Sequence, residues 1–191
     1  VLLIKQHLQE RNFYIPLGPA AASYSNFSVL PLYYYLQMLA QLIFGNTFYA
    51  MSILIMLLES IAPIMLFYLL KKVGLKTKTS FLGALLYAFT PGAISLAVLA
   101  WNPNLVPFFS LTLLIGGLWF LLDNKNYGLL LAILATVFLI SLHFQWFVML
   151  PFIFVIALKA LWQIKKTWKT LTIGLILSGL LLSPYLYFEI T

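Results

Sequence analysis

The chain has 191 residues, of which 63% are hydrophobic and only 8% charged, with a mean hydropathy of +1.03. Water-soluble domains carry about 25% charged residues, so this composition leaves almost no room for a soluble globule. The formal charge of +7 does not point to nucleic acid, because no basic cluster is interleaved with polar residues as such a face requires, and the lack of cysteine removes disulfides, thiolate nucleophiles and cysteine metal sites.

Taken in chain order, the opening VLLIKQHLQE lacks the basic-then-apolar layout of a signal peptide, and the chain reads as a piece whose start lies elsewhere, before Val1. VLLIKQHLQERNF has apolar residues at 1, 3, 4 and 8 with Lys5, Glu10 and Arg11 interspersed, a pattern that suits a helix lying in the membrane interface. After a turn bearing glycine and serine comes PLYYYLQMLAQLIFG, residues 31–45. About 14 residues of helix reach about 21 Å at 1.5 Å each, short of a hydrocarbon core of roughly 30 Å. Residues 1–45 therefore form one region, with a second interfacial or re-entrant helix on the extracytoplasmic side. The rival is that about 27–44 spans, which would put Lys5 and Arg11 in the cytoplasm.

Residues 46–191 read as a transmembrane bundle. Six apolar runs suit spanning helices: about 47–70, 80–100, 105–122, 127–142, 147–164 and 170–187. The fourth is short, and Pro63 predicts a kink in the first because proline removes a backbone donor. Lys71, Lys72, Lys76 and Lys78 follow the first run, Lys125 follows the third, and Lys159, Lys165, Lys166 and Lys169 mark the end of the fifth. These alternate with loops that hold no lysine or arginine, so the lysine side is expected to be cytoplasmic. Trp101–Asn104, His143–Gln145 and Glu189 then share the extracytoplasmic side of a multi-pass protein of the cytoplasmic membrane.

The chemistry-bearing residues are few. His143 and Gln145, in LISLHFQWFVML, would hydrogen-bond a phosphate or sugar hydroxyl at that mouth; the plainer reading is that they satisfy backbone groups where one helix ends and the next begins. Trp101, Asn102 and Asn104 surround Pro103, and turn formation with interfacial anchoring explains them as readily as sugar binding. Tyr33, Tyr34 and Tyr35 stand about 100° apart on a helix, so at least one points away from the bilayer, and one is expected to line a substrate cavity. Glu59 sits near the middle of the first run, where a charge costs at least about 2.5 kcal/mol, and protonation, or pairing with Ser60 or a tyrosine, is expected. Lys5 and Arg11, with His7 behind them, are the cations available to a lipid phosphate, although a solvated interfacial helix accounts for them equally well. Gly116-Gly117 and Gly174 with Ser178 read as close helix packing. No phosphate-cradling loop, zinc-ligand spacing or nucleophile elbow is present, and no protein metal site is read from the chain.

The order of features resembles a known family. PLYYYL is followed by glycine, then a run ending in FYLLKKVG, then LLYAFTPGAISLAVLAWNPNLVPFF, ISLHFQ and a last run closing in LLSPYLYFE. Together they resemble the GT-C superfamily of membrane glycosyltransferases, nearest the bacterial branch with lipid A aminoarabinose transferases, protein O-mannosyltransferases and RgtA/B/C/D-like relatives. The resemblance covers most of the chain. It implies transfer of a sugar from a polyprenyl-phosphate carrier to an acceptor hydroxyl on a glycan, lipid or protein at the extracytoplasmic face, with inversion and a carboxylate as general base. A divalent metal is a possible cofactor of such enzymes. The chain departs from the pattern in lacking the first helix and the acidic motif that precede a segment like VLLIKQHL, so the resemblance puts the catalytic acid upstream of Val1. Glu10 is the single acid in 1–45, and Glu189 is left as a weak candidate base. The expectation is an all-α polytopic bundle of about six spans with two interfacial helices, the core of such a transferase without its catalytic acid. A transporter or lipid-binding membrane protein is the alternative, and a remnant with the fold but no chemistry the third reading.

Overall fold

A computed structural model describes residues 28–45 and 47–190, together with Gln6, Gln9, Glu10, Gly18 and Pro19. Gln6 and Glu10 close one helical turn, N–H to carbonyl at 2.9 Å and amide to carboxylate at 2.9 Å. Strands β1 (Gly18–Pro19) and β2 (Ser28–Val29) form a two-residue antiparallel ladder. The regular elements described beyond it are all helices: α1 (Leu32–Phe44), α2 (Ala50–Lys72), α3 (Thr77–Ala88), α4 (Pro91–Val98), α5 (Val106–Asp123), α6 (Asn126–Leu142), α7 (Leu150–Trp162) and α8 (Ile164–Ile190). Short 3-10 turns at Asn102–Leu105 and Phe144–Met149 lead into α5 and α7.

Four helical stretches are long and apolar enough to cross a membrane: Ala50–Lys72, Asn102–Asp123, Phe144–Trp162 and Ile164–Tyr187. The molecule is thus an all-helical chain built for a bilayer. Helix α6, 17 residues long, is the short run expected at 127–142. The run expected at 80–100 is not one helix but two, of 12 and 8 residues. The cause is Pro91, which drives Thr90 out of the helical region to φ −67°, ψ 126° and then starts α4 at its first position. A second correction concerns the last run: α8 begins at Ile164, not near 170, so Lys165, Lys166 and Lys169 lie in its first turns. Only Gln163, at φ −100° and ψ 27°, separates it from α7. Helix α2 continues through Pro63.

Helices α5 and α6 form the central pair, and glycine lets them approach. A Cβ on Gly128 would lie 2.6 Å from the Gly116 carbonyl oxygen, and one on Gly116 would lie 2.9 Å from that of Gly128. Phe109 stacks on Phe138 across the same seam, centroids 4.5 Å apart and planes 7° from parallel. Gly174 of α8 meets Ile133 of α6, with a Cβ there 2.8 Å from Cδ1. Lipid tails are as apolar as leucine, so such close van der Waals contact, more than expulsion of water, joins helices in a bilayer. Helix α1 lays Leu32, Tyr33, Tyr34, Gln37, Met38, Ala40 and Gln41 inward, against α2 and α6, and leaves Leu39, Leu42 and Ile43 outside.

The helix ends sort into two sets. At one, Lys72 binds Asp123 at 2.6 Å, joining α2 to α5. Asn126 donates to the Lys166 carbonyl at 3.0 Å, and Lys159 donates to the carbonyls of Phe120 and Leu121 at 3.0 and 2.7 Å. A cation on the last carbonyls of a helix opposes the negative end of its dipole. The chain leaves α5 through Asn124 at φ 55°, a left-handed position asparagine tolerates. The other end gathers residues 99–105 and 142–149. Exposed aromatics ring both ends: Phe48, Tyr49, Trp101, Phe144 and Phe147 at one, Tyr127, Trp162 and Trp168 at the other. Aromatic residues at both interfaces are the habit of spanning bundles.

Candidate functional site

The two polar interruptions meet. Where α6 stops, His143 turns to extended backbone at φ −165°, ψ 149°, and the Leu142 carbonyl there accepts a hydrogen bond from the Asn102 side-chain amide. Asn104, fully buried, donates to the Leu99 carbonyl at 3.0 Å and closes its own turn. The Tyr33 hydroxyl donates to the Ala100 carbonyl at 3.0 Å, which brings α1 beneath the same loop. Three side chains from two sequence-distant segments, α1 and the 99–105 loop, thus bond backbone carbonyls where the helical ladder is interrupted.

Tyr33 and Tyr34 are both buried, packed edge to face with centroids 5.6 Å apart, while Tyr35 is partly buried against the core. Burial, and for Tyr33 the neighbouring Tyr34, pushes the phenol of Tyr33 above its ordinary range; burial alone takes Tyr34 up to about 12. Both stay neutral and serve as hydrogen-bonding groups rather than bases.

His143 performs a specific local task. Its Nδ1 accepts the Gln145 backbone N–H at 3.3 Å, capping the 3-10 turn, and its carbonyl accepts Trp146 N–H at 3.3 Å. An accepting Nδ1 in a neutral ring leaves the proton on Nε2, a donor for a ligand. Burial holds the imidazole below its usual pKa, so the neutral form prevails at pH 7. The ring lies 4.1 Å from that of Phe144. Gln145 and Trp101 are exposed, the latter by 49%. After the backbone takes Asn102, Asn104 and Tyr33, the end presents one imidazole N–H, one exposed amide and one exposed indole.

The expected phosphate contacts Lys5, His7 and Arg11 lie outside the described residues. Glu189 is described in backbone only, in the last turns of α8. Among the described residues no group of three or more His, Cys, Asp or Glu gathers as a metal site would.

Glu59 lies inside the bundle, in the middle part of α2. Its carboxylate is buried, 6% exposed, and accepts from the Tyr87 hydroxyl at 3.1 Å and from the Phe108 backbone N–H at 3.2 Å. A tyrosine partner was expected; Ser60, the other candidate, donates to the Leu57 carbonyl at 2.7 Å. Phe108 is in the first turn of α5, four residues past Asn104. A carboxylate at a helix N-terminus meets unpaired N–H groups and the positive end of the dipole. Glu59 therefore seats α5 just beneath the loop that carries Trp101. Pro103 and Pro107, which mark a helix start, were the available signal for an acceptor there. No family model, curated protein or solved structure significantly matches the chain.

Proposed function

We propose that this chain is the membrane core of a GT-C-like glycosyltransferase that takes a sugar from a polyprenyl-phosphate carrier at the extracytoplasmic face. The single observation that supports this is the meeting of the WNPN and LHFQ breaks, through Asn102 and the Leu142 carbonyl, at the end away from the lysines. A charged nucleotide sugar does not cross a bilayer, whereas a lipid phosphate presents its sugar at the far interface, where this end would lie. The Nε2–H of His143 and the amide of Gln145 suit phosphate or sugar oxygens, and the exposed indole of Trp101 suits one face of a sugar ring.

In the reaction, the bond between the anomeric carbon and the phosphate oxygen breaks as the acceptor oxygen attacks from the opposite face. The polyprenyl phosphate leaves, and the acceptor proton passes to a carboxylate. Of the acids near this end in sequence, Glu189 is the candidate for that carboxylate. The test is transfer of radiolabelled hexose from a polyprenyl phosphate by the full chain in proteoliposomes, together with binding of the unreacted lipid. Saturable binding that falls at least tenfold in Trp101→Ala and His143→Asn supports the reading. Equal binding by these variants at normal folding removes the end from the site.

A second reading, a transporter or lipid-binding protein without glycosyl transfer, draws on the α3–α4 break beside Glu59, since discontinuous helices and midplane carboxylates line solute paths. Uptake without transfer would favour it.

A further inference from the structure

Beside Glu59 lies a cavity of about 310 Å³, lined by residues of α2, α3 and α4, among them Met56 and Ile94, which are 46% and 52% exposed. It exists because α3 and α4 are not one helix: the Thr90–Pro91 break sets Ala93 and Ala97 as its small-residue wall facing Pro63. Interrupted backbone at membrane depth is tolerated where it lines such a space.

Its polar groups share one property. The Ser60 hydroxyl spends its proton on the Leu57 carbonyl at 2.7 Å, and the Tyr87 hydroxyl spends its own on Glu59 Oε2 at 3.1 Å. Glu59 Oε1 takes the Phe108 N–H at 3.2 Å. Both carboxyl oxygens of Glu59 thus accept a hydrogen bond from the protein. What remains toward the cavity is lone pairs: Glu59, Ser60 and Tyr87 all offer acceptors, and none of the three offers a donor. Among the described residues no cation forms an ion pair with Glu59; the ion pairs present are those of Asp123 with Lys72 and Lys125. A buried carboxylate with hydrogen bonds but no countercharge is only half compensated.

We infer that this cavity binds the protonated amine of an alkylammonium amphiphile that enters sideways from the bilayer. The ammonium supplies both the missing donors and the missing charge, in the charge-assisted bonds that are the strong ones, and the alkyl chain leaves between Met56 and Ile94 toward lipid. Anions and ligands bearing only carbonyls find no partner here. A neutral alcohol finds acceptors but leaves the charge unopposed. The site is separate from the end formed by Trp101 and His143 and stands or falls independently of the transferase reading.

The test is native mass spectrometry of the full chain released from micelles in the presence of octylamine, octanol or octanoate. One saturable octylamine adduct is expected, with occupancy at least tenfold lower for octanol and octanoate. Glu59→Gln keeps an acceptor for Phe108 N–H but removes the charge, and should lower octylamine occupancy at least tenfold. Ala93→Leu fills the cavity while leaving the carboxylate, and should do the same; it decides the matter even where Glu59→Gln fails to fold. Equal adducts from all three amphiphiles, or an undiminished octylamine adduct in Ala93→Leu, would overturn the inference.

Discussion

The two ends of the bundle use polar residues in opposite ways. At the lysine end, charged side chains tie helix termini to one another: Lys72 to Asp123, and Lys159 to the last carbonyls of α5. At the other end neutral side chains do the tying, Asn102 to Leu142, Asn104 to Leu99 and Tyr33 to Ala100. Charge at the first end serves closure; neutral amides and a phenol at the second hold irregular backbone and leave Gln145 and Trp101 exposed, with His143 partly so. An end whose backbone is satisfied by dedicated side chains has others to spare for a ligand, which is the physical content of the functional proposal.

The largest expected effect of breaking this contrast is at Asn104. It is fully buried, and Asn104→Ala both removes its bond to the Leu99 carbonyl, which keeps the Trp101 N–H at 2.9 Å, and leaves a void in packed surroundings, at a combined cost of about 2 kcal/mol. Thermal unfolding in nanodiscs should show a clear drop, and binding at the same end should weaken with it. An unchanged midpoint would mean that the 99–105 loop does not depend on this bond. Lys159→Met comes next, at about 1–2 kcal/mol, because two carbonyls of α5 lose a charged donor while the alkyl stem is kept. This variant should leave ligand binding at the far end unaltered, so lost binding at retained fold would contradict the separation of the two ends.

His143 sharpens the contrast because its two roles separate. His143→Ala removes the cap on Gln145 N–H and should cost about 1 kcal/mol; His143→Asn restores a capping side chain and should recover most of that. If capping is the whole role, asparagine also restores binding of a polyprenyl-phosphate sugar; in the reading advanced here, it restores stability only. Burial lowers the imidazole pKa in the folded chain, so the unfolded chain binds a proton more readily. The stabilisation from a neutral His143 is complete above the ordinary value of about 6.5 and is lost as pH falls from there toward the lowered folded value. The unfolding midpoint of the unsubstituted chain should therefore fall more between pH 7.5 and 5.5 than that of His143→Asn. Parallel curves would show that this ring does not titrate differently on folding.

Much of this was legible because the signals are local. Lysines in short turns and polar breaks between apolar runs mark helix ends whatever the packing, and Gly116 was readable as a close approach because only a bare Cα admits a neighbour's carbonyl at 2.9 Å from the missing Cβ position. Pro91 was just as visible, yet a hydropathy window sums side chains and is blind to one missing N–H, so FTPGAI passed as continuous. The start of α8 left no mark at all, since neither glycine nor proline separates Trp162 from Ile164. Glu59 illustrates the deeper limit. Its position in α2 was plain, but its meaning depends on where α3 and α5 lie, and Tyr87 and Phe108 are 28 and 49 residues away.

The smallest effect is expected where charge is most abundant. Lys72 and Asp123 are each partly exposed, and Lys125 stands 4.0 Å from the same carboxylate as a second cation. A solvated pair of this kind gains little, because water and salt screen it. Lys72→Met alone should shift the unfolding midpoint only slightly, with Lys125 taking over part of the task. Lys72→Met with Lys125→Met should shift it by more than the sum of the two, and raising salt should erase most of the difference. Such an outcome would show that lysines at this end back one another up. A Lys72→Met loss as large as that of Asn104→Ala, and insensitive to salt, would instead make the lysine end the tightly built one, and the contrast between the ends would have to be drawn the other way round.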